Sequence, residues 1–423
     1  MAAEPHRAAP AAASPADARP ASARAPVAGG SAVRDDEIGI VSLIPEPWGE
    51  QLMARHQITR RLAQRFHVVC LEPAAEWRTM LGKPWRVIRG EPRRRVGPLE
   101  IVHPRIIPHF YGEGPLARWS WRRRLAPVYR RLRREGCRYV VLYLWRPQFA
   151  AARLVPGHDV VIYHVTDEYS FSSVERPVDP VEGGLLRDVD QVIVHSPALY
   201  ERKGPLSSRA ALVPNGVDFA AFATARAEPA DLAPIPRPRI GYSGFIKNQL
   251  DWPLLDALAA RHPEWSFVFV GSVRGHAGLD ATIEQLRQRP NVYFLGAKST
   301  DALAAYAAHF DVAMLPYVRD DYTKYIYPLK LHEYAAAGRP IVGTSIRTLL
   351  DYPELVVLAD DVDGWSAAII RALRPESQSP VAAGARRAVA ARHDWDVLTD
   401  RVAALVRDAV VRRRPAAGGD EHG

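Results

Sequence analysis

Cysteine is almost missing from this chain. Cys70 and Cys137 are its only cysteines in 423 residues, far apart and without the spacing of metal ligands. That excludes a disulfide-stapled scaffold and a cysteine-rich zinc site, and it fits a reducing compartment. Long apolar runs are missing as well. None approaches the roughly 18–20 residues that a membrane-spanning helix requires. The dinucleotide fingerprint G-x-G-x-x-G occurs at neither domain's first turn, which argues against a dehydrogenase. No DxD pair sits in a telling context: "DVD" at 188–190 and 361–363 is unremarkable, and no metal site is expected. The opening, residues 1–36, lacks apolar periodicity and any apolar leader core. It reads as a disordered tail, not a secretory signal. Residues 413–423 read as a second tail.

What the chain does have is basic charge and α/β patterning. Lys and Arg number 56 against 47 Asp and Glu, a net +9 carried mostly by arginine. At this length one core is too few, and two domains are the default. "EIGIVSLI" (37–44), a helical stretch over 47–66 and "HVVCLEP" (67–73) make a strand, helix and strand of a parallel sheet. The pattern resumes at 137–145, 158–170, 189–199 and 210–218, so a first domain is expected over 37–218. Residues 219–238 are rich in proline and alanine and read as a linker. A second run of strands, "RIGYSG", "WSFVFVGS", "NVYFLG", "DVAMLP", "PIVGT" and "LVVLAD", places a second domain over 239–393. A final helix is expected over 394–412, with a possible return to the first domain. The fold class is α/β: two doubly wound, Rossmann-like domains facing a cleft, with ligands expected at the carboxyl ends of the strands.

The stretch "YPLKLHEYAAAGRPIVGT" (327–344) predicts a helix opened near Pro328 and ended by Gly338, then a strand. Lys330 sits in its first turn, where the positive end of the helix dipole disfavours a cation. Glu333 lies one turn on, along the same face. A ligand carrying both phosphate and hydroxyls would explain the pair; a lysine that points into water would explain it equally well. "GYSGFIKN" offers Gly244, which allows close backbone approach, and Lys247; a plain tight turn is the alternative. Gly296 after "NVYFL" could present backbone groups to a base or simply turn the chain. In "VIYHVTDEYS", Asp167 and Glu168 follow a buried strand, where an acid would open into the cleft or cap the next turn. His164 and His195, inside apolar strands, read as satisfied core histidines.

Together "ALVPNGVDFAAF", "IGYSGFIKN", "NVYFLG", "DVAMLPY" and "PLKLHEYAAAGRPIVGT" resemble the GT-B glycosyltransferases. They are most similar to the family-4-like bacterial enzymes of teichuronic acid and exopolysaccharide biosynthesis. Order and spacing match over about residues 38–405. The resemblance implies a nucleotide-sugar donor in the second domain and a glycan or lipid-linked acceptor at the first. It implies Glu333 on the nucleotide ribose, and Leu329, Lys330 and Gly244 facing the diphosphate, with Lys247 and Gly296 nearby. Asp167, then Glu168, would serve as base toward the acceptor hydroxyl. No cofactor beyond the donor is implied, and the transfer would be metal-independent and of hexosyl type. One departure stands out. Where many such enzymes carry a second glutamate, eight positions before the first, this chain has Tyr325.

"LARWSWRRRLAPVYRRLRREGCR" (116–138) is basic and amphipathic. It predicts either attachment to the inner face of the cytoplasmic membrane or an outer helix whose apolar side packs on its own domain. The expected location is therefore cytoplasmic. Two other functions stay open: a GT-B relative that epimerises a sugar nucleotide or only binds it, and a basic nucleic-acid module, for which no recognition motif is present.

Overall fold

The computed structural model describes residues 33–49, 52–73, 93–103, 110, 112–170, 176–275 and 278–413. The expectations for 1–32 and 414–423 lie outside these residues. The first sheet holds β1 (Ile38–Leu43), β2 (His67–Leu71), β3 (Arg93–Val96), β4 (Leu99–Val102), β5 (Tyr139–Leu144), β6 (Val160–Val165), β7 (Gln191–Val194) and β8 (Ala210–Leu212). Its order is β3-β4-β2-β1-β5-β6-β7-β8, parallel except for β3. The second sheet holds β9 (Arg239–Ser243), β10 (Ser266–Val270), β11 (Val292–Phe294), β12 (Val312–Leu315), β13 (Ile341–Gly343) and β14 (Val356–Leu358). Its order is β11-β10-β9-β12-β13-β14, all parallel. Strands β1, β5, β6 and β7 are buried along their whole length or nearly so, as parallel strands covered on both faces must be.

Three features differ from the pattern read in the sequence. The first helix begins only at Ala54, because Pro45, Pro47 and Gly49 occupy the chain before it. The arginines of "EPRRRVG" form the edge strand β3, and all four of its residues are exposed. Charge on an edge strand deters pairing with another chain, and the same charge hides the strand from a search for apolar alternation. Residues 219–238 are anchored rather than free: Phe222, Leu232 and Ile235 are buried in the core of the second domain.

The chain crosses back at its end. The helix Trp395–Arg413 lays Leu398, Val402, Val406 and Val410 into the core formed by β1, β5 and β6 of the first domain. The crossing is tied to the chain between the sheets by paired backbone bonds: Val217 N donates to His393 O and Trp395 N to Val217 O, each at 2.9 Å. A Cβ on Gly216 would lie 2.6 Å from His393 O, so the close approach itself requires glycine there.

The helix Pro115–Arg134 buries Trp121, Leu125, Val128, Tyr129 and Leu132 on its own domain. Leu116 and Trp119 remain outside, 62% and 47% exposed, among the exposed Arg118, Arg122 and Arg123.

Candidate active site

The carboxyl ends of both sheets open on one cleft of about 290 Å³. Asp167 follows β6 into it, His195 follows β7, Ser243 ends β9 and Gly244 follows it. The opposite wall is the segment Tyr322–Glu333 of the second domain, with Arg55 entering from the first.

Pro328 precedes the helix Leu329–Ala336, and Gly338 ends it at φ 76°. Lys330 does not extend into water. Its Nζ stands 5.0 Å from the centre of the Tyr242 ring, over the turn made by Gly244. Gly244 has φ 119°, and a Cβ there would come within 2.6 Å of Lys330 Cε and Nζ. Its positive φ and the lysine stem both require glycine. Gly244→Ala is therefore expected to cost about 1–3 kcal/mol of stability through backbone strain. A urea midpoint unchanged by the substitution would show that the loop relaxes freely.

Glu333 lines the cleft one turn below. Burial raises its carboxyl above the usual range, and Lys330 partly offsets that. No donor among the described residues bonds its oxygens, so a partly buried carboxylate is left facing the cleft. Leu329 lines the same wall.

Asp167 lies across from this helix. Burial raises its carboxyl, against the pull of Arg146, Lys203 and Lys247. Its Oδ1 accepts from Glu168 N at 2.9 Å, and the Tyr322 hydroxyl of the other domain also bonds its side chain. It caps no helix. Lys247 stands close enough for Lys330 and Asp167 to act on it; burial and then Lys330 lower its pKa. It is not part of the cleft lining.

Glu168 and Gly296, like Lys247, lie outside the cleft lining. Glu168 turns inward, with Oε2 3.0 Å from Arg202 Nε and Oε1 3.4 Å from Lys203 Nζ. It also accepts from Ser170 N at 2.8 Å, so its oxygens serve the fold and do not face an acceptor. Gly296 is a left-handed turn residue at φ 72° outside the cleft lining, and a Cβ there would touch nothing within 4 Å. The two DVD stretches are structural: Asp190 Oδ2 accepts from Val161 N at 2.8 Å, and Asp361 Oδ1 caps the following helix through Gly364 N at 2.7 Å. No group of three His, Cys, Asp or Glu side chains among the described residues is arranged to hold a metal ion.

Tyr325, in the place of the second glutamate, is pulled into the first domain's core. Its carbonyl accepts from Ser196 Oγ at 2.8 Å and its hydroxyl from Arg202 Nη1 at 3.2 Å. Together with Asn215 Nδ2 donating to Tyr327 O at 2.9 Å, it ties the two domains across the cleft. His164 is the core histidine expected, bonded to the Tyr143 hydroxyl at 2.8 Å and stacked on Trp145. His195 is not: although only 5% exposed, it forms part of the cleft wall. Sequence spacing placed both in apolar strands, and only the strand end distinguishes them.

Residues 237–375 match the family described as glycosyl transferases group 1. That match falls within the second domain. In its GT-B setting, a 136-residue stretch is 32% identical to TuaH of Bacillus subtilis (strain 168), named as a teichuronic acid biosynthesis glycosyltransferase. That stretch is 32% of this chain and 34% of TuaH, so the chain spans about a third of the relative it matches. Among solved structures, sucrose-phosphate synthase from Thermosynechococcus elongatus superposes with a TM-score of 0.62 at 18% identity. The superposition covers 89% of this chain and 99% of that one. A UDP-forming α,α-trehalose-phosphate synthase from Burkholderia xenovorans, solved with glucose-6-phosphate, gives 0.60 at 15% identity over 88% and 99%. These likenesses establish the GT-B fold across both domains.

Proposed function

We propose that this chain transfers a sugar from a nucleoside-diphosphate donor to a hydroxyl of a glycan or lipid-linked acceptor in bacterial surface polysaccharide synthesis. The observation that carries this reading is the meeting of Lys330, Glu333 and the Gly244 turn with Asp167 across one cleft. The Glu333 carboxylate suits the two ribose hydroxyls, whose hydrogen bonds to a charged acceptor are strong and directional. Lys330 and the first amides of the Leu329–Ala336 helix suit the diphosphate, which they would stabilise as it leaves. The bond from the sugar's anomeric carbon to the diphosphate oxygen breaks and one to the acceptor oxygen forms. Asp167 takes the acceptor's proton, a role favoured by its raised carboxyl pKa. In this reading cations and the helix dipole do the work of a metal, no cofactor is used beyond the donor, and the sugar is a hexose.

The test is a thermal-shift screen with UDP, GDP, ADP, dTDP and their sugars, with and without EDTA, on the wild type and on Lys330→Ala. Selective stabilisation by one nucleotide, insensitive to EDTA and lost in the variant, is the expected outcome. A wild type that no nucleotide or nucleotide sugar stabilises would overturn the reading.

No helix among the described residues is long and apolar enough to cross a membrane. The exposed Leu116, Trp119 and neighbouring arginines suit contact with an anionic lipid surface instead. Trp119→Glu is expected to lower co-sedimentation with phosphatidylglycerol vesicles at least several-fold and leave nucleotide binding unchanged. Equal sedimentation of variant and wild type would remove this face from membrane contact.

A further inference from the structure

His195 sits at the carboxyl end of β7, in the cleft wall shared with Asp167, Tyr327 and Glu333. Its ring Nδ1 is 3.1 Å from Val165 O. A carbonyl only accepts, so Nδ1 carries the hydrogen and Nε2 is left with a lone pair. No described residue bonds Nε2. The ring therefore meets the cleft as a fixed, neutral acceptor whose tautomer the backbone sets. Burial, with Lys203 and Arg55 as further positive neighbours, holds its pKa down to about 4. It stays uncharged at neutral pH and is neither a general acid nor a phosphate-binding cation.

The charge layout of the cleft says which part of a ligand this acceptor meets. Lys330 and the helix N-terminus form a cationic end beside Gly244. His195 and Asp167 face them from the ends of β7 and β6, and both are acceptors; Arg55, on the same side, is paired with Glu46. Acceptors repel phosphate oxygens and bind hydroxyl groups. The His195 ring lies 6.4 Å, centre to centre, from Tyr327, two residues before the first turn of the helix that suits the diphosphate. A group attached to that diphosphate is thus within the reach of His195.

We propose that His195 contacts substrate directly, its Nε2 accepting a hydrogen bond from a hydroxyl of the sugar carried by the nucleoside diphosphate. This rests on the glycosyltransferase reading and adds a sugar-recognition residue to it from the first domain. The hydrogen bond selects for a sugar with a hydroxyl at that position, because without it the Nε2 facing the cleft would lose its water and gain nothing in return.

The test compares each diphosphate with its sugar: UDP with UDP-glucose, GDP with GDP-mannose, ADP with ADP-glucose and dTDP with dTDP-glucose. Affinities are measured by titration calorimetry on the full chain as wild type, His195→Ala and His195→Gln. For the pair that the wild type binds, His195→Ala should bind the bare diphosphate within twofold of wild type and the nucleotide sugar about tenfold more weakly. His195→Gln, which keeps a neutral acceptor of similar reach, should recover at least half of that loss on a logarithmic scale. Equal weakening of diphosphate and nucleotide sugar, or no weakening of either, would overturn the proposal. So would failure of glutamine to rescue in a variant that unfolds at the wild-type temperature. A wild type that binds none of the four pairs would sink the glycosyltransferase reading itself and this residue's role with it.

Discussion

Glu333→Ala is expected to weaken nucleoside-diphosphate binding by roughly 1.5–3 kcal/mol, the range for a hydrogen bond to a charged group, or about 10- to 150-fold in Kd. The carboxylate is partly buried, has no donor among the described residues and is raised above its ordinary pKa by that burial. Holding it charged in this place costs free energy that no described partner repays, except through the field of Lys330. Removing it should therefore leave the free protein as stable as before, or slightly more so, while the complex weakens. Calorimetric titration and a urea melt separate the two. A variant that binds the nucleotide like wild type would take Glu333 out of the site; one that melts much earlier would make it a structural residue. Glu333→Gln, which keeps one acceptor and loses the charge, should fall between the two.

Lys203→Met is expected to destabilise the chain by about 3–5 kcal/mol, the cost of orphaning a buried charge. Lys203 is fully buried, with Nζ 2.8 Å from Glu182 Oε1 and 3.4 Å from Glu168 Oε1. It also reaches Asp167 O at 3.3 Å. Without the lysine, Glu182 must protonate or stay charged in a fully buried place; burial already raises its pKa and Lys203 is the largest opposing influence. Replacing both partners, as Lys203→Met with Glu182→Leu, should recover much of the loss, because an apolar pair of similar volume needs no compensation. Tyr163, whose hydroxyl donates to Glu182 at 2.8 Å, would then be the group left short of a partner. Urea unfolding of the wild type and the two variants measures this directly. A single variant as stable as the wild type would mean that water reaches the cluster. Because Lys203 also holds the carbonyl of Asp167, the double variant should fold well and still show a misplaced Asp167, seen as lower turnover at unchanged nucleotide affinity.

The parallel strands were legible because burial on both faces writes them as unbroken apolar runs, "VVLYL" and "VIYHV" among them. The helix Leu329–Ala336 was legible because its punctuation is local: Pro328 before it, Gly338 after it, and a lysine where a lone helix would not place one. What escaped depends on contacts between distant parts of the chain. Asp167 and Glu168 are adjacent and chemically alike, yet one faces the cleft and the other is turned inward by Arg202 and Lys203, some 34 residues later. Tyr325 reads as a loop aromatic until Ser196 and Arg202 appear around it. The edge strand β3 was hidden by its arginines, since an exposed strand need not alternate. His195 differs from His164 only by standing one residue past its strand instead of within it.

The returning helix has a consequence for the order of synthesis. The first domain's sheet is complete once residue 212 has been made, but the side that carries Ile40, Val141 and Ile162 is covered by Leu398, Val402 and Val406. Domains generally fold as units while the chain emerges, at about 5–20 residues per second. This one waits for nearly two hundred further residues, roughly ten to forty seconds at that rate, with an apolar face uncovered. The second domain, continuous in sequence, can finish first. The early half of the chain is thus the late half of the fold, and a chain cut short before Trp395 would strand a finished second domain beside a first domain prone to aggregate.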